Sequence, residues 1–340
     1  MDYKKKLATL LSIIGALSVV YTATFVFAPE RRGARDAVFS WIDARDRGRI
    51  ESIVIENSAD TVELAMRGGD WFVLHNGMEY PARAFRVDDL LDILTRRVSY
   101  PLRATSAASH ARMGVSEENA FTIRVLGDIR AQPILELFVG YADMTGREVH
   151  LRRGGQNEVR SGDRLFLTFA QSSLQFWYNL RIIPETEGGW LDLDLVQRMT
   201  VYRGADAESP ENGLQVFTRA GHGWVLSGTY IDDPDPTFIN AYIRTVLSLE
   251  AEDFVREIAP NDPAFEHSRI TLEFGDGSTR VIRLTAPDEA GRRLAAVSHW
   301  NEPAQFVHSL SAWASQRLFR DPREFERFVF TMPEPEDYAL

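Results

Sequence analysis

The stretches VELAM (Val62–Met66) and WFVL (Trp71–Leu74) decide the fold, because the chain repeats their pattern later as LQVF (Leu214–Phe217) and WVL (Trp224–Leu226). In VELAM the apolar side chains alternate with other residues, as they do when one face of a strand pair is buried and the other is wet. Arg67-Gly68-Gly69-Asp70 between the first two stretches is typical of a tight hairpin turn. Each pair therefore predicts an antiparallel hairpin.

The echo extends outward from the hairpins, with each landmark of the first half followed by a counterpart 138 to 153 residues later. Order is kept, and the drift in spacing is what loop insertions and deletions produce. We interpret the pattern as a duplicated module. The alternative is that any β-rich chain yields such short alternating runs. The matched pairs are Ile53 with Met199, Trp71 with Trp224, Val87 with Ile239, Gly127 with Gly275 and Leu180 with Leu318.

Helical periodicity separates the strands in both halves. Val87, Leu90, Leu91 and Leu94 recur at helical spacing, which predicts an amphipathic helix covering the sheet. A second helix is predicted at Phe238–Leu249, with Asp235 as its cap, and apolar segments at 165–180 and 306–319 are predicted to be helical. Strands that do not alternate regularly with helices predict an α+β fold with antiparallel sheets. Further strands are predicted at 53–55, 121–126, 134–139, 149–152, 199–202, 270–274, 281–284 and 294–297.

Residues Leu7–Ala28 form a run of 22 residues without a charge, directly after Lys4, Lys5 and Lys6. About 20 apolar residues suffice to cross a bilayer as a helix. We predict a cytoplasmic tail and transmembrane signal anchor at 1–28, with a cleaved signal peptide as the alternative. The short tail with its lysines predicts a cytoplasmic N-terminus in the inner membrane and extracytoplasmic modules.

The predicted domain organisation follows from these elements. A charged juxtamembrane segment at 29–49 precedes a first α+β module at 50–190 and a second at 191–328, and a proline-rich acidic tail ends the chain at 329–340. Val38, Phe39, Trp41 and Ile42 interrupt the charged segment. Aromatic residues near a membrane often lie at the headgroup level, but we expect Trp41 to pack on the first module.

Charge and composition exclude several classes of function. The three lysines stand before the apolar run, so the remaining 35 basic residues are all arginine, against 48 acidic residues. This acidic balance disfavours nucleic-acid binding. The sequence contains no cysteine, which excludes thiolate nucleophiles, thiolate metal sites and disulfides. With no lysine after Lys6, a Schiff-base or phosphate-loop lysine is excluded from the modules as well.

No motif predicts a catalytic, cofactor-binding or metal-ligating residue. The seven histidines are scattered, and Asp232, Asp233 and Asp235 are better explained by capping and solvation than by calcium. Asp192 and Asp194 could serve acid–base chemistry, but their alternation with leucines is typical of an exposed strand edge. Among the aromatic residues, Trp71 and Trp224 are predicted to lie in the cores, and Trp300, beside His299, is the candidate for an exposed contact.

Four short motifs resemble a known bacterial envelope family. Tyr80-Pro81-Ala82, Met113-Gly114-Val115, Phe138-Val139-Gly140 and Leu180-Arg181 are similar to the family named domain of unknown function 4340. The second half departs from that pattern, with Tyr230-Ile231-Asp232 and Ala259-Pro260-Asn261 in place of the first two motifs. The resemblance implies one N-terminal anchor, one or more copies of the module and an association with gliding-motility-type ABC transporter auxiliary proteins. It implies no catalytic residues.

The sequence thus predicts a membrane-anchored extracytoplasmic binding or scaffold protein without enzymatic activity, and the resemblance implies an ABC-type transport assembly as its partner. Two alternatives stay open. One is an extracytoplasmic hydrolase that cleaves cell-wall polysaccharide with paired carboxylates. The other is a secreted binding protein, which would follow from cleavage of the apolar segment.

Overall fold

The computed structural model describes residues 38–57, 60–127, 132–183, 193–204, 213–221, 223–229, 231, 233–299 and 302–327, together with residues 14, 15, 17 and 18. Within these ranges, none of the helices has the length and apolar character needed to cross a bilayer. The predicted anchor at Leu7–Ala28 lies outside the described residues except for those four, and so do residues 29–37 and the predicted tail 329–340.

The chain divides into two compact units, Met1–Asn179 and Leu180–Leu340, which we name the first and second modules. Backbone hydrogen bonds explain why the second begins at Leu180. The Leu180 carbonyl accepts from the Ala251 amide at 2.7 Å, and the Ile182 amide donates to the Leu249 carbonyl at 3.1 Å. Both modules consist of antiparallel strands with added helices, which confirms the predicted α+β class.

The first module carries its main sheet in the order β5-β4-β3-β2-β8-β9-β10-β11-β7, and β1 pairs separately with β6. The bounds of its described strands are β1 Val38–Phe39, β2 Ile50–Glu56, β3 Thr61–Arg67, β4 Asp70–His75, β5 Met78–Pro81, β6 Val98–Ser99, β7 Leu102–Ala104, β8 Phe121–Gly127, β9 Leu135–Ala142, β10 Glu148–Arg153 and β11 Val159–Asp163. Its described α-helices are α1 Ala84–Thr95, α2 His110–Met113, α3 Leu165–Ala170 and α4 Leu174–Trp177.

The second module carries one sheet in the order β14-β13-β12-β16-β17-β18-β19-β15. Its described strands are β12 Val196–Tyr202, β13 Leu214–Ala220, β14 Gly223–Ser227, β15 Asp253–Val255, β16 Ser268–Phe274, β17 Thr279–Leu284, β18 Arg293–His299 and β19 Val307–Leu310, and its described α-helices are α5 Pro236–Leu247 and α6 Ala312–Leu318. Apart from β5, the two main sheets have the same order when the strands are counted along the chain. In both, a helix leads from one sheet edge to a short strand at the opposite edge.

The two quoted hairpins form as predicted. Met66 pairs with Trp71, and Arg219 pairs with Trp224. Gly68 and Gly69 turn the first hairpin with φ of 61° and 102°, a region that L side chains rarely adopt. Trp71 and Trp224 are 7% and 8% exposed, which confirms their prediction as core residues.

The helices α1 and α5 each bury the apolar face that the spacing predicts. Val87, Leu90, Leu91 and Leu94 are buried on α1. On α5, the buried residues include Ile239, Ile243 and Val246. Asp235 caps α5 as predicted, since its Oδ1 accepts from the Thr237 amide at 2.8 Å and Pro236 takes the first helical position.

The helix predicted at 306–319 is wrong in its first part. Val307–Leu310 is strand β19, which pairs with β18 on one side and β15 on the other. Helix α6 begins only after Ser311, whose Oγ accepts from the Ala314 amide at 3.1 Å. Two neighbouring strands satisfy the backbone groups of β19, and that tertiary pairing overrides the apparent helical spacing.

Candidate binding site

The segment Val38–Ile42, which we name the strap, lies against the first module and forms the candidate site. Val38 pairs with Ser99 and Phe39 with Val98. The Ile42 amide donates to the Leu94 carbonyl at 3.0 Å. Trp41 and Ile42 are 3% and 2% exposed, so the prediction that Trp41 packs on the module is confirmed.

A short 3-10 helix at Ala44–Arg49 fixes the end of the strap. Asp43 caps this helix by accepting from the Arg45 amide at 3.0 Å. Arg47 then reaches across to helix α1, where it pairs with Asp88 at 3.0 Å and with Asp92. The strap is thus tied down at its C-terminal end before β2 begins.

Two aromatic rings of the strap pack against Tyr100 of the first module. Phe39, Trp41 and Tyr100 form a triangle with ring centroids 5.0 to 5.2 Å apart, in edge-on and tilted geometries that favour aromatic contacts. Tyr100 is 2% exposed, and burial raises the pKa of its hydroxyl to about 12. The tyrosine therefore stays neutral at physiological pH and acts as a packing residue.

Cavities of about 500 Å³ and about 210 Å³ open beside the strap. Phe39, Ser40, Trp41 and Arg153 line both. The larger cavity is comparable in volume to small-molecule sites, which typically measure about 300–1,000 Å³.

Arg153, the last residue of β10, stands between the two cavities. Its Nη2 donates to the Trp41 carbonyl, which joins the guanidinium to the strap. The side chain is half-buried, and burial lowers the pKa of this guanidinium from its usual value because water no longer solvates the charge fully. Its neighbour Arg152 belongs to a different environment, where Nε donates to the Val115 carbonyl at 2.8 Å.

Two further arginines complete the basic side of the site. Arg97 is exposed and lines the larger cavity. Arg160 is buried beside the smaller one, with its guanidinium 5.1 Å from the centroid of the Phe39 ring. Arg160 also donates to the Tyr100 carbonyl at 3.0 Å and pairs with Glu158 at 2.6 Å.

The carboxylates of the larger cavity are already engaged by arginines of the 3-10 helix. Asp43 pairs with Arg45 at 2.7 Å, and the hydrogen bonds from Arg45 lower the pKa of Asp43 to about 2. Asp46 pairs with Arg49 at 3.2 Å. In contrast, Arg97 and Arg153 form no ion pair with any carboxylate that the structure describes. The arrangement therefore suits a negatively charged ligand.

The acidic residues singled out from the sequence have structural partners. Asp194 pairs with Arg219 at 3.4 Å, Asp233 with Arg327 at 3.5 Å, and Asp235 caps α5. Asp192, Asp232 and Trp300 lie outside the described residues. In the described part of the chain, no cluster of three or more His, Asp or Glu side chains could hold a metal ion.

Described carboxyl groups with a shifted pKa all shift downward. In each case, hydrogen bonds from neighbouring backbone or side-chain groups are the largest cause. A glycosidase requires the opposite shift at its general acid. These groups give the polysaccharide-hydrolase alternative no support. They are Asp43, Asp143, Glu148, Glu257, Asp276 and Asp288.

Sequence reasoning named no residue of this site as functional. Apolar residues inside a charged segment were the available signal for the strap, and they predicted its packing. Arg153 offered no signal, because it is one of 35 arginines and its position beside Trp41 depends on a contact across 112 residues.

Comparison with known proteins gives one family and no individual relative. The family model described as "Domain of unknown function (DUF4340)" matches residues 71–268, which is more than half of the chain. The match begins on β4 in the first module and ends at the start of β16 in the second. No curated protein and no solved structure matches.

Proposed function

The chain belongs to the family of domain of unknown function DUF4340, and on that premise we propose that it is a membrane-anchored extracytoplasmic binding protein built by duplication of one α+β module. The observation that carries the binding role is the site beside the strap, where Arg153 lines two cavities and pairs with no carboxylate among the described residues. We propose further that the protein serves an ABC-type transport assembly as an accessory.

A matched row across the two sheets supports duplication. In the first module Ile55 pairs with Ile123, and Ile123 with Leu137. Val201, Ile270 and Ile282 form the corresponding row in the second module. All six side chains are 0% exposed. Shared strand order together with a shared buried row is expected when two modules descend from one, since core positions change more slowly than loops.

The proposed membrane anchor rests on the uncharged run Leu7–Ala28 behind three lysines. Since the chain contains no cysteine, single introduced cysteines can report its topology without interference. Met144 is fully exposed at 106%, which makes Met144→Cys a suitable reporter in the first module. A membrane-impermeant maleimide should label this variant in intact spheroplasts.

The matched control is Asp2→Cys, which the same reagent should label only after lysis. Labelling of Asp2→Cys in intact spheroplasts, or protection of Met144→Cys, would overturn the proposed orientation. Intact-mass measurement of the purified chain tests the secreted alternative, because cleavage of the apolar run removes a defined N-terminal segment.

Association with a transporter is tested in the membrane. Cells expressing the tagged full chain would be treated with a short crosslinker, and the purified adducts identified by mass spectrometry. We expect a permease or ATPase component of an ABC transporter among them, and not among adducts of an unrelated single-span protein expressed at the same level. Adducts without any transporter component would end the accessory assignment.

A further inference from the structure

We propose that the larger cavity beside the strap binds a small organic anion, whose carboxylate or phosphate group pairs with Arg153 and Arg97 and whose flat apolar body lies against Phe39 and Ile134. This inference deepens the proposed binding function and rests on it for biological meaning. The site itself is argued from side chains of the first module alone.

The charge of Arg153 provides the first argument. Taking an ion out of water costs free energy that a nearby opposite charge normally offsets. Arg153 is half-buried, and burial is what lowers its pKa, yet no carboxylate in the described part of the chain pairs with it. A guanidinium carries five N–H donors. In Arg153, Nη2 donates to the Trp41 carbonyl. An anion entering the cavity would supply the missing charge.

The balance of charge around the cavity provides the second argument. Asp43 and Asp46 line the same cavity, but Arg45 and Arg49 pair with them from outside it. Arg97 adds a second cation to the wall, and its charge contributes to the lowered pKa of Asp43. The planar guanidinium fork matches carboxylate and phosphate oxygens. Both headgroups therefore fit the same chemistry.

The apolar wall of the cavity indicates what kind of molecule carries the anionic group. Trp41, Phe39 and Ile134 lie on the wall of the larger cavity, and its volume of about 500 Å³ accommodates a molecule larger than an inorganic ion. Aromatic walls favour flat ligands through offset or edge-on contacts. A small aromatic acid satisfies both the cationic and the apolar parts of the site.

The second module supplies an internal contrast. Following the strand pairing, Leu137 of the first module corresponds to Ile282 of the second, so Arg153, which pairs with Leu137, corresponds to Val297, which pairs with Ile282. Val297 is 6% exposed. The sheet therefore accepts an apolar side chain at this position, and the arginine of the first module is not a requirement of the fold.

Calorimetric titration of the purified full chain in detergent tests the inference. The probes are 2-naphthoate, 2-naphthyl phosphate and the uncharged 2-naphthol, which share one ring system. We expect at least one anion to bind, with an affinity about tenfold or more above that of 2-naphthol, because hydrogen bonds between ionised groups are stronger than those between neutral groups. Comparing the two anions identifies the preferred headgroup.

Two variants locate the binding. Arg153→Gln should lower the affinity for the preferred anion about tenfold and leave binding of 2-naphthol unchanged. Arg112→Gln removes an exposed charge from helix α2 of the same module and should change neither. Arg97→Gln should weaken anion binding without disturbing the strap, and it serves in place of Arg153→Gln should that variant fail to fold by circular dichroism.

Anion affinity that is unchanged in both Arg97→Gln and a folded Arg153→Gln would overturn the inference, as would equal affinity for 2-naphthol and the anions or no anion binding at millimolar concentration. These failures leave the crosslinking result untouched, so the inference and the proposed transporter association fail separately. Loss of transporter adducts with intact anion binding would overturn only the accessory assignment.

Discussion

The two modules have the same strand order apart from β5, and they differ in charge on two neighbouring interior strands of the main sheet. Following the strand pairing from the common buried row, Arg152, Arg153 and Arg160 of the first module correspond to Ala296, Val297 and His308 of the second. Side chains within the shared row differ in size but stay apolar. These three differences lie where β10 and β11 meet the strap, so the common strand order does not fix the side chains at these positions.

The strap itself is the second difference. In the first module, residues 38–49 approach the sheet from the N-terminal side and bury two large side chains, Trp41 and Ile42. In the second module, β12 is preceded by a short 3-10 helix at Leu193–Leu195, of which only Leu193 is buried. In the described part of the chain, the first module therefore has a strap bound by an arginine, and the second module, whose sheet is similar, has none.

The strongest test of this comparison removes the strap's anchor. Trp41→Ala should destabilise the first module by about 3–5 kcal/mol, because it empties a buried site that three aromatic rings share. Native-state hydrogen exchange at β8 measures the loss, and exchange at β16 in the second module serves as the internal control. Unchanged protection at β8 would mean that the strap is an accessory to the site and not part of the module's core.

Matched substitutions in the shared row test whether the two cores are equivalent. Ile123→Ala and Ile270→Ala each remove a side chain that is 0% exposed, and each should cost about 2–5 kcal/mol. Hydrogen exchange of the affected sheet reports each loss separately. If one substitution leaves protection from exchange unchanged and the other lowers it, the two rows are not equivalent. That result would contradict the correspondence on which the proposed duplication rests.

The caps of the two cover helices give a smaller contrast. Asp235 caps α5 through a hydrogen bond to Thr237, whereas Arg83 at the start of α1 makes no side-chain cap. Asp235→Ala should therefore destabilise the second module by about 1 kcal/mol. Urea unfolding measures this change, and Asp235→Asn, which retains a capping oxygen, should restore most of the loss.

A pH effect at the strap is expected to be the smallest. The pKa of Asp43 is lowered to about 2 when Arg45 binds it, so its contribution to the folded state is complete above the unfolded value near 4 and is lost as the pH falls toward 2. Protection factors for hydrogen exchange at residues 44–49, which take the intrinsic pH dependence of exchange into account, should fall in the wild type between pH 5 and about 2. Asp43→Asn should flatten that dependence, because it cannot titrate.

The periodicity of apolar residues was enough to predict the strands and helices that have a clear local pattern. The alternation in Val62–Met66 and the helical spacing from Val87 to Leu94 were sufficient to predict the hairpin and the cover helix. Short strands such as β7, β11 and β15 were missed, since they contain few residues and owe their conformation to neighbours in the sheet. The first part of the predicted helix at 306–319 was wrong for the same reason, whereas its later part forms helix α6.

The site was harder to predict than the fold. Trp41 could be assigned to packing because an aromatic residue in a charged segment is unusual, whereas Arg153 gained its significance only from what surrounds it. Its half-burial, its bond to the Trp41 carbonyl and its lack of a carboxylate partner among the described residues are properties of the folded chain. Composition can count arginines but does not indicate which of them are left uncompensated.

If the proposed anchor ends at Ala28, the pairing of Val38 with Ser99 limits the distance between the bilayer and the sheet of the first module. Nine residues, 29–37, would then separate the anchor from Val38, and a stretch of nine residues spans at most about 30 Å. The sheet of the first module would then stay close to the lipid headgroups. At that distance it could contact the extracytoplasmic loops of a neighbouring integral membrane protein. A flexible insert before Val38 would increase the maximum distance between the first module and the bilayer without altering either sheet.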